Sequence, residues 1–308
     1  MDKARAEHDH RSLQRRLEVL QLPVVPLTFQ GELTPRHPQD WKYEPETVGV
    51  GPDGTAFAVW PHRRDAGRKR VTSHIGSNIM TSVDLTTELA TSFVQPLPDG
   101  HILLVAARTR RGTAPNAEVW TSDGHLVRTG HLGDAIEELL TTPSGNVWAS
   151  YFDEAMSGSG PQTHGLARFT QDLIPDWLYP FDAGLPFILD CYALNVQGER
   201  AHCCAYTDFH LVSVEGGRAT DWGAAPYRRA HSLLVQGRDG ALINGPGPEY
   251  DLVTPFRLHK DRIEAAGPQR RLVLPDGMEA QRLHSTCRGP DLHVFRHRTW
   301  YRATLDDL

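Results

Sequence analysis

The sequence has no run of about 18 apolar residues, and its first sixteen residues are charged rather than apolar. That argues against a spanning helix and a secretory leader, and predicts a cytoplasmic protein that does not engage a membrane. Cysteine is scarce: Cys191, Cys203, Cys204 and Cys287 form no CxxC pair. A strand would send the adjacent Cys203 and Cys204 to opposite faces, so all four read as reduced, small hydrophobes and not as a disulfide framework. Despite 16 histidines there is no HExxH, and Cys and His never fall at zinc-finger spacing. GxSxG is missing, and residues 157–160 (SGSG) read as a surface loop, not a nucleophile elbow. The GPGP stretch at 245–248 lacks the Lys and Ser or Thr of a phosphate loop. A net charge of −6 and a pI near 6.2 give no draw toward nucleic acid. Only four of the 32 basic residues are lysines, a compositional bias to which we attach no function.

What the sequence does contain is one phrase used six times: an alternating apolar run, a tight turn on a small polar residue and glycine, then a second apolar run. The turns are Asp53-Gly54, Asp99-Gly100, Ser144-Gly145, Gln197-Gly198, Asp239-Gly240 and the looser Gly289-Pro290-Asp291, spaced by 42 to 53 residues. That period predicts an all-β chain, a six-bladed β-propeller of four-stranded antiparallel blades. The third blade is predicted at 136–142, 146–152, 165–170 and 174–179, and the fourth at 191–196, 200–206, 210–214 and 219–222. The last blade, at 280–287, 292–297 and 300–305, is one strand short. Residues 23–30 (PVVPLTFQ) are expected to supply that strand and close the ring. Residues 1–22 then form a tail with a short amphipathic helix carrying Leu13, Leu17 and Leu20, and residues 23–308 one propeller domain. Trp60, Trp120, Trp148, Trp177 and Trp222 are expected to fill space between blades, and Trp41 to face a ligand.

The glycine turns share one face of such a ring, so the longer connections lie on the other, where ligands are expected. Acidic residues there come from the middle blades: Asp134, Glu137, Asp153, Glu154, Asp190 and Asp208. Basic ones, among them Arg63, Arg64, Arg108, Arg110, Arg111, Arg228, Arg229, His231, Arg296 and His297, come from the others. Such a face could hold a polar or anionic molecule against arginine while carboxylates orient it, or the charges could simply pair around a solvated rim. Asp153, Glu154 and Asp190, with the Asn195 amide, form a candidate set for Ca2+ or Mg2+. The competing possibility is that Asp153 caps a turn and Glu154 pairs with a neighbouring arginine.

GNVWASYFDE at 145–154, DCYALNV at 190–196 and YTDF at 206–209 resemble an uncharacterised group of bacterial six-bladed propeller proteins. That group reads Gly where this chain has Ala155. More distantly the chain resembles the six-bladed class that includes NHL-repeat interaction modules and lactonases of the SMP-30 type. The lactonase resemblance implies a divalent cation held at the channel mouth by carboxylates and Asn, a part open here to Asp153, Glu154, Asp190 and Asn195. Two functions therefore stand. One is a non-catalytic binding propeller for a protein partner or small polar ligand, needing no cofactor. The other is a metal-assisted hydrolase or lactonase.

Overall fold

Alternation around a glycine turn makes each repeat an antiparallel sheet, because side chains of period two give both faces of a strand something to bury. In the computed structural model six such sheets form a β-propeller. It describes residues 2–109, 114–157, 159–181, 184–243, 245–281 and 283–308. The innermost strands are Thr47–Val50, Phe93–Pro96, Ile136–Thr141, Asp190–Gln197, Ser232–Gln236 and His284–Arg288, each neighbouring the next around the channel. The predicted third and fourth blades match the strands within two residues.

The fifth repeat differs from expectation at its turn. Its first two strands, Ser232–Gln236 and Asp239–Ile243, join through Gly237 at φ 62°. Gly240 lies inside the second strand, where a Cβ would come within 2.2 Å of the Phe256 ring and 2.5 Å of the Leu234 carbonyl. This blade is also larger than four strands. Arg262–Ala265 and Arg270–Val273 both pair with Leu252–His259, and Val24–Pro26 adds in parallel to Arg270–Val273. The N-terminal segment thus serves two blades, because Thr28–Glu32 pairs antiparallel with Thr299–Thr304 and completes the sixth.

Apolar clusters fill the seams between blades. Cys203 packs toward the third blade with Trp148 and Leu166, and Cys204 toward the fifth with Leu233 and Phe256, as strand alternation demands. All four cysteines are free and buried. Trp41, expected at a ligand, is instead 2% exposed, with the Arg70 guanidinium 4.4 Å from its ring centre and His62 edge-on.

The N-terminal helix, Asp2–Leu20, reverses the amphipathic expectation. Leu13 and Leu17 are 57% and 47% exposed, while Val19 and the arginine edge meet the fifth blade. Arg16 makes a bidentate pair with the fully buried Asp251 at 2.7 and 2.9 Å, reaches Glu279 at 3.1 Å, and lies 4.3 Å over the Tyr250 ring. Arg15 bonds Glu249 at 2.5 Å. No described helix is long and apolar enough to cross a membrane.

At the glycine-turn end two side chains tie the blades together. Arg288, from the sixth, donates to the Val50 carbonyl of the first at 2.8 Å, the Thr141 carbonyl of the third at 2.6 Å, and the Gln95 amide oxygen of the second. Asn195, from the fourth, donates to the Leu233 carbonyl of the fifth at 2.6 Å and accepts from Gly289 N of the sixth at 2.8 Å. Every blade is reached, and the guanidinium spans the channel and stops it at this end. Burial pulls Arg288 down to about 9, which leaves it cationic at neutral pH.

Candidate functional site

On the opposite face the neighbouring inner strands of the third and fourth blades depart from regular pairing. A bulge between Ile136 and Glu138 leaves Glu137 unpaired, and another between Cys191 and Ala193 leaves Tyr192 unpaired. The other four inner strands pair regularly with their second strands. A bulge breaks the strict in–out alternation, so residues that period two would bury can turn to the channel.

On this wall the charge of Glu137 acts on two neighbouring acids. Burial, then Glu137 and Asp153, push Asp190 up to about 6. Burial, then Glu137, push Glu138 up to about 8, with Arg288 opposing. Glu137 is itself raised by burial. Neither Glu137 nor Asp190 has a hydrogen-bond or ion-pair partner among the described residues. Beside them Tyr192 packs against Tyr206 at 5.7 Å, Phe209 at 5.5 Å and His231 at 5.2 Å between ring centres. Burial raises Tyr192, Asp190 adds to that, and the Arg229 charge opposes it.

Of the residues singled out in the sequence, Asp153, Asp190, Arg229 and His231 meet at this mouth. Arg108 is occupied by Asp134 at 3.2 Å and by Glu154, and lies 5.4 Å from the Phe152 ring centre. Asp153 and Glu154 open a short 3₁₀ turn, Asp153–Ser157, in which Ala155 is buried without a positive φ. Asp208 and Arg228 are exposed on the same face and make no hydrogen bond or ion pair to the cluster. Arg110, Arg111 and the Gly158 of the SGSG loop lie outside the described residues.

The proposed cation set does not assemble. Asn195 is five strand residues below Asp190, roughly 15 Å along the channel, and its amide is engaged with Leu233 and Gly289. Glu154 faces Arg108. Among the described residues no three His, Cys, Asp or Glu side chains could hold one ion.

The wall from the first and sixth blades mixes both charges. A hollow of about 550 Å3 there is lined by His284, Arg296 and His297 with Glu44 and Glu46. His297 bonds Glu44 at 2.8 Å, and the buried Lys69 holds Glu46 at 2.7 Å. Glu138, Tyr192 and His284 were not singled out by sequence reasoning. Two consecutive glutamates in an otherwise apolar strand, IEELL, are the one signal that marked such a break.

The fold is a six-bladed β-propeller. No protein-family model matches the sequence, and no curated protein matches it. Among solved structures the chain is similar to a gluconolactonase from Xanthomonas campestris, 12% identical over 92% of this chain and 96% of that one, TM-score 0.46. It is similar to AztD from Citrobacter koseri, 13% identical over 81% and 79%, TM-score 0.42. It also matches a protein of unknown function from Bacteroides caccae, 12% identical, TM-score 0.40, over 58% of this chain and 65% of that chain's length. At these identities the likeness is one of fold alone.

Proposed function

We propose that the protein is a binding propeller that takes a small, positively charged polar molecule at the mouth of its channel. The observation that carries this is the pair Asp190 and Glu137. Both are raised toward neutrality and neither has a described partner, at the end of a channel whose one spanning cation, Arg288, already serves three blades. A carboxylate destabilised by burial and like charge gains most from an incoming cation, and Tyr192 offers that cation a ring face. Of the arginines suspected of holding an anion, Arg108 is neutralised by Asp134 and Glu154.

The test is calorimetric titration with methylammonium and with Ca2+, on the full chain and on Asp190→Asn. An organic cation that binds the full chain and is lost in Asp190→Asn supports the proposal. Because a bound cation favours ionised Asp190, affinity should fall as pH drops through about 6. Binding unchanged by Asp190→Asn refutes it. Ca2+ binding tighter than methylammonium would favour the metal-assisted hydrolase, which needs a third donor to move toward Asp153 and Asp190.

A further inference from the structure

We infer that the mouth continues into an apolar compartment between the fifth and sixth blades, which receives a ring or compact branched group of the same ligand. This rests on the cation-binding proposal and names its substrate class, an amine bearing an apolar group. A cavity of about 240 Å3 lies there. Leu27, Leu272, Ala280 and Val294, all buried, form its walls together with Leu283. His231, Ser285 and Tyr250 form its polar edge.

His231 joins the two compartments. Its ring is 5.2 Å from that of Tyr192 on the acidic side and lines the cavity on the other. A ligand whose charge meets Asp190 and Glu137 therefore has an apolar hollow one side chain away. The walls are fixed without a ligand. Leu27 belongs to the N-terminal segment that bridges both blades. Tyr250 is clamped between Arg16 above its ring and Glu279 and Gln281 at its hydroxyl. An apolar cavity of about 150 Å3 accommodates benzene, so this volume suffices for a six-membered ring.

The experiment is ligand-observed NMR with calorimetric titration of methylamine, benzylamine and benzyl alcohol. It uses the full chain, the filling variant Ala280→Leu and the enlarging variant Leu283→Ala. Benzylamine should bind about 10- to 100-fold tighter than methylamine, the gain of burying one aromatic side chain. Ala280→Leu should erase that ratio and leave methylamine unchanged. Leu283→Ala should move the preference to 2-naphthylmethylamine, a gain that a misfolded variant cannot produce. Equal affinity for methylamine and benzylamine overturns the compartment and leaves the mouth standing. Benzyl alcohol matching benzylamine, with both lost in Ala280→Leu, keeps the compartment and overturns the charge assignment. Binding of none of the three overturns both.

Discussion

Arg288 and Asn195 each do by one side chain what usually takes a layer of packing: they tie together inner strands of different blades. Replacing Arg288 with Met leaves the carbonyls of Val50 and Thr141 and the Gln95 amide oxygen without this donor in a buried place. We expect a loss of about 3 to 5 kcal/mol in urea unfolding, with the slope unchanged. Asn195→Ala should cost about 2 to 4 kcal/mol. The double variant should depart from additivity, because Gly289, which Asn195 grips, follows Arg288 in the chain. A loss below about 1 kcal/mol for Arg288→Met would contradict the role given to it. Neither role was legible beforehand. Strand alternation told which way Asn195 points but not how deep it sits, so an amide near Asp190 in sequence passed for a ligand of the same ion. Gly240 misled in the same way. Asp-Gly is a turn signal, yet there glycine is needed because a Phe256 ring and a carbonyl crowd its Cα.

The elements were more legible than the residues. Glycine turns at a steady period, five of the six where expected, and alternating strands between them suffice to place the blades, since each signal is local and repeated. The bulges at Glu137 and Tyr192 are different in kind, because a bulge exists only relative to a partner strand and, the paired glutamates of IEELL apart, left no mark on the strands read alone. The N-terminal helix inverted its reading for an energetic reason. Asp251 is fully buried and needs a cation, and Arg16 supplies it, so the arginine edge turns inward and the leucines outward. Arg16→Ala should therefore cost about 2 to 4 kcal/mol, since it leaves Asp251 with Arg271 at 3.9 Å. Leu13→Gln and Leu17→Gln should each change stability by less than about 0.5 kcal/mol. Thermal unfolding of the three variants separates the two orientations, and the reverse ranking would restore a leucine-packed helix.

Across the whole molecule, buried histidines set the acid limit. Burial pulls His74 and His202 down to about 4 and His293 to about 3, with arginines contributing to the latter two. Unfolded imidazoles titrate near 6.5. As pH falls below that value the unfolded chain takes up protons that the folded chain refuses, so stability drains away between about 6.5 and 4. Glu138, pushed up to about 8, acts in the other direction, since its contribution is lost as pH rises from the ordinary carboxyl range to about 8. We expect the unfolding temperature to peak between about pH 6 and 7, and calorimetry from pH 4 to 9 would measure it. A temperature that stays flat from 6.5 to 4.5 would contradict this assignment. Both ring nitrogens of His202 lack a partner among the described residues, so His202→Leu should be neutral or stabilising at pH 7 and should flatten the acid limb.

The strand that completes the sixth blade has a consequence for biosynthesis. Thr28–Glu32 is made roughly 270 residues before its partner, Thr299–Thr304, about 15 to 50 s at ordinary elongation rates. Val25 and Leu27 wait as well, until Arg270–Val273 of the fifth blade is made, and the ring cannot close before the last pairing forms. Translation that aborts before Thr299–Thr304 should therefore leave Thr28–Glu32 without its partner and the ring open, fit for a chaperone and not for a ligand.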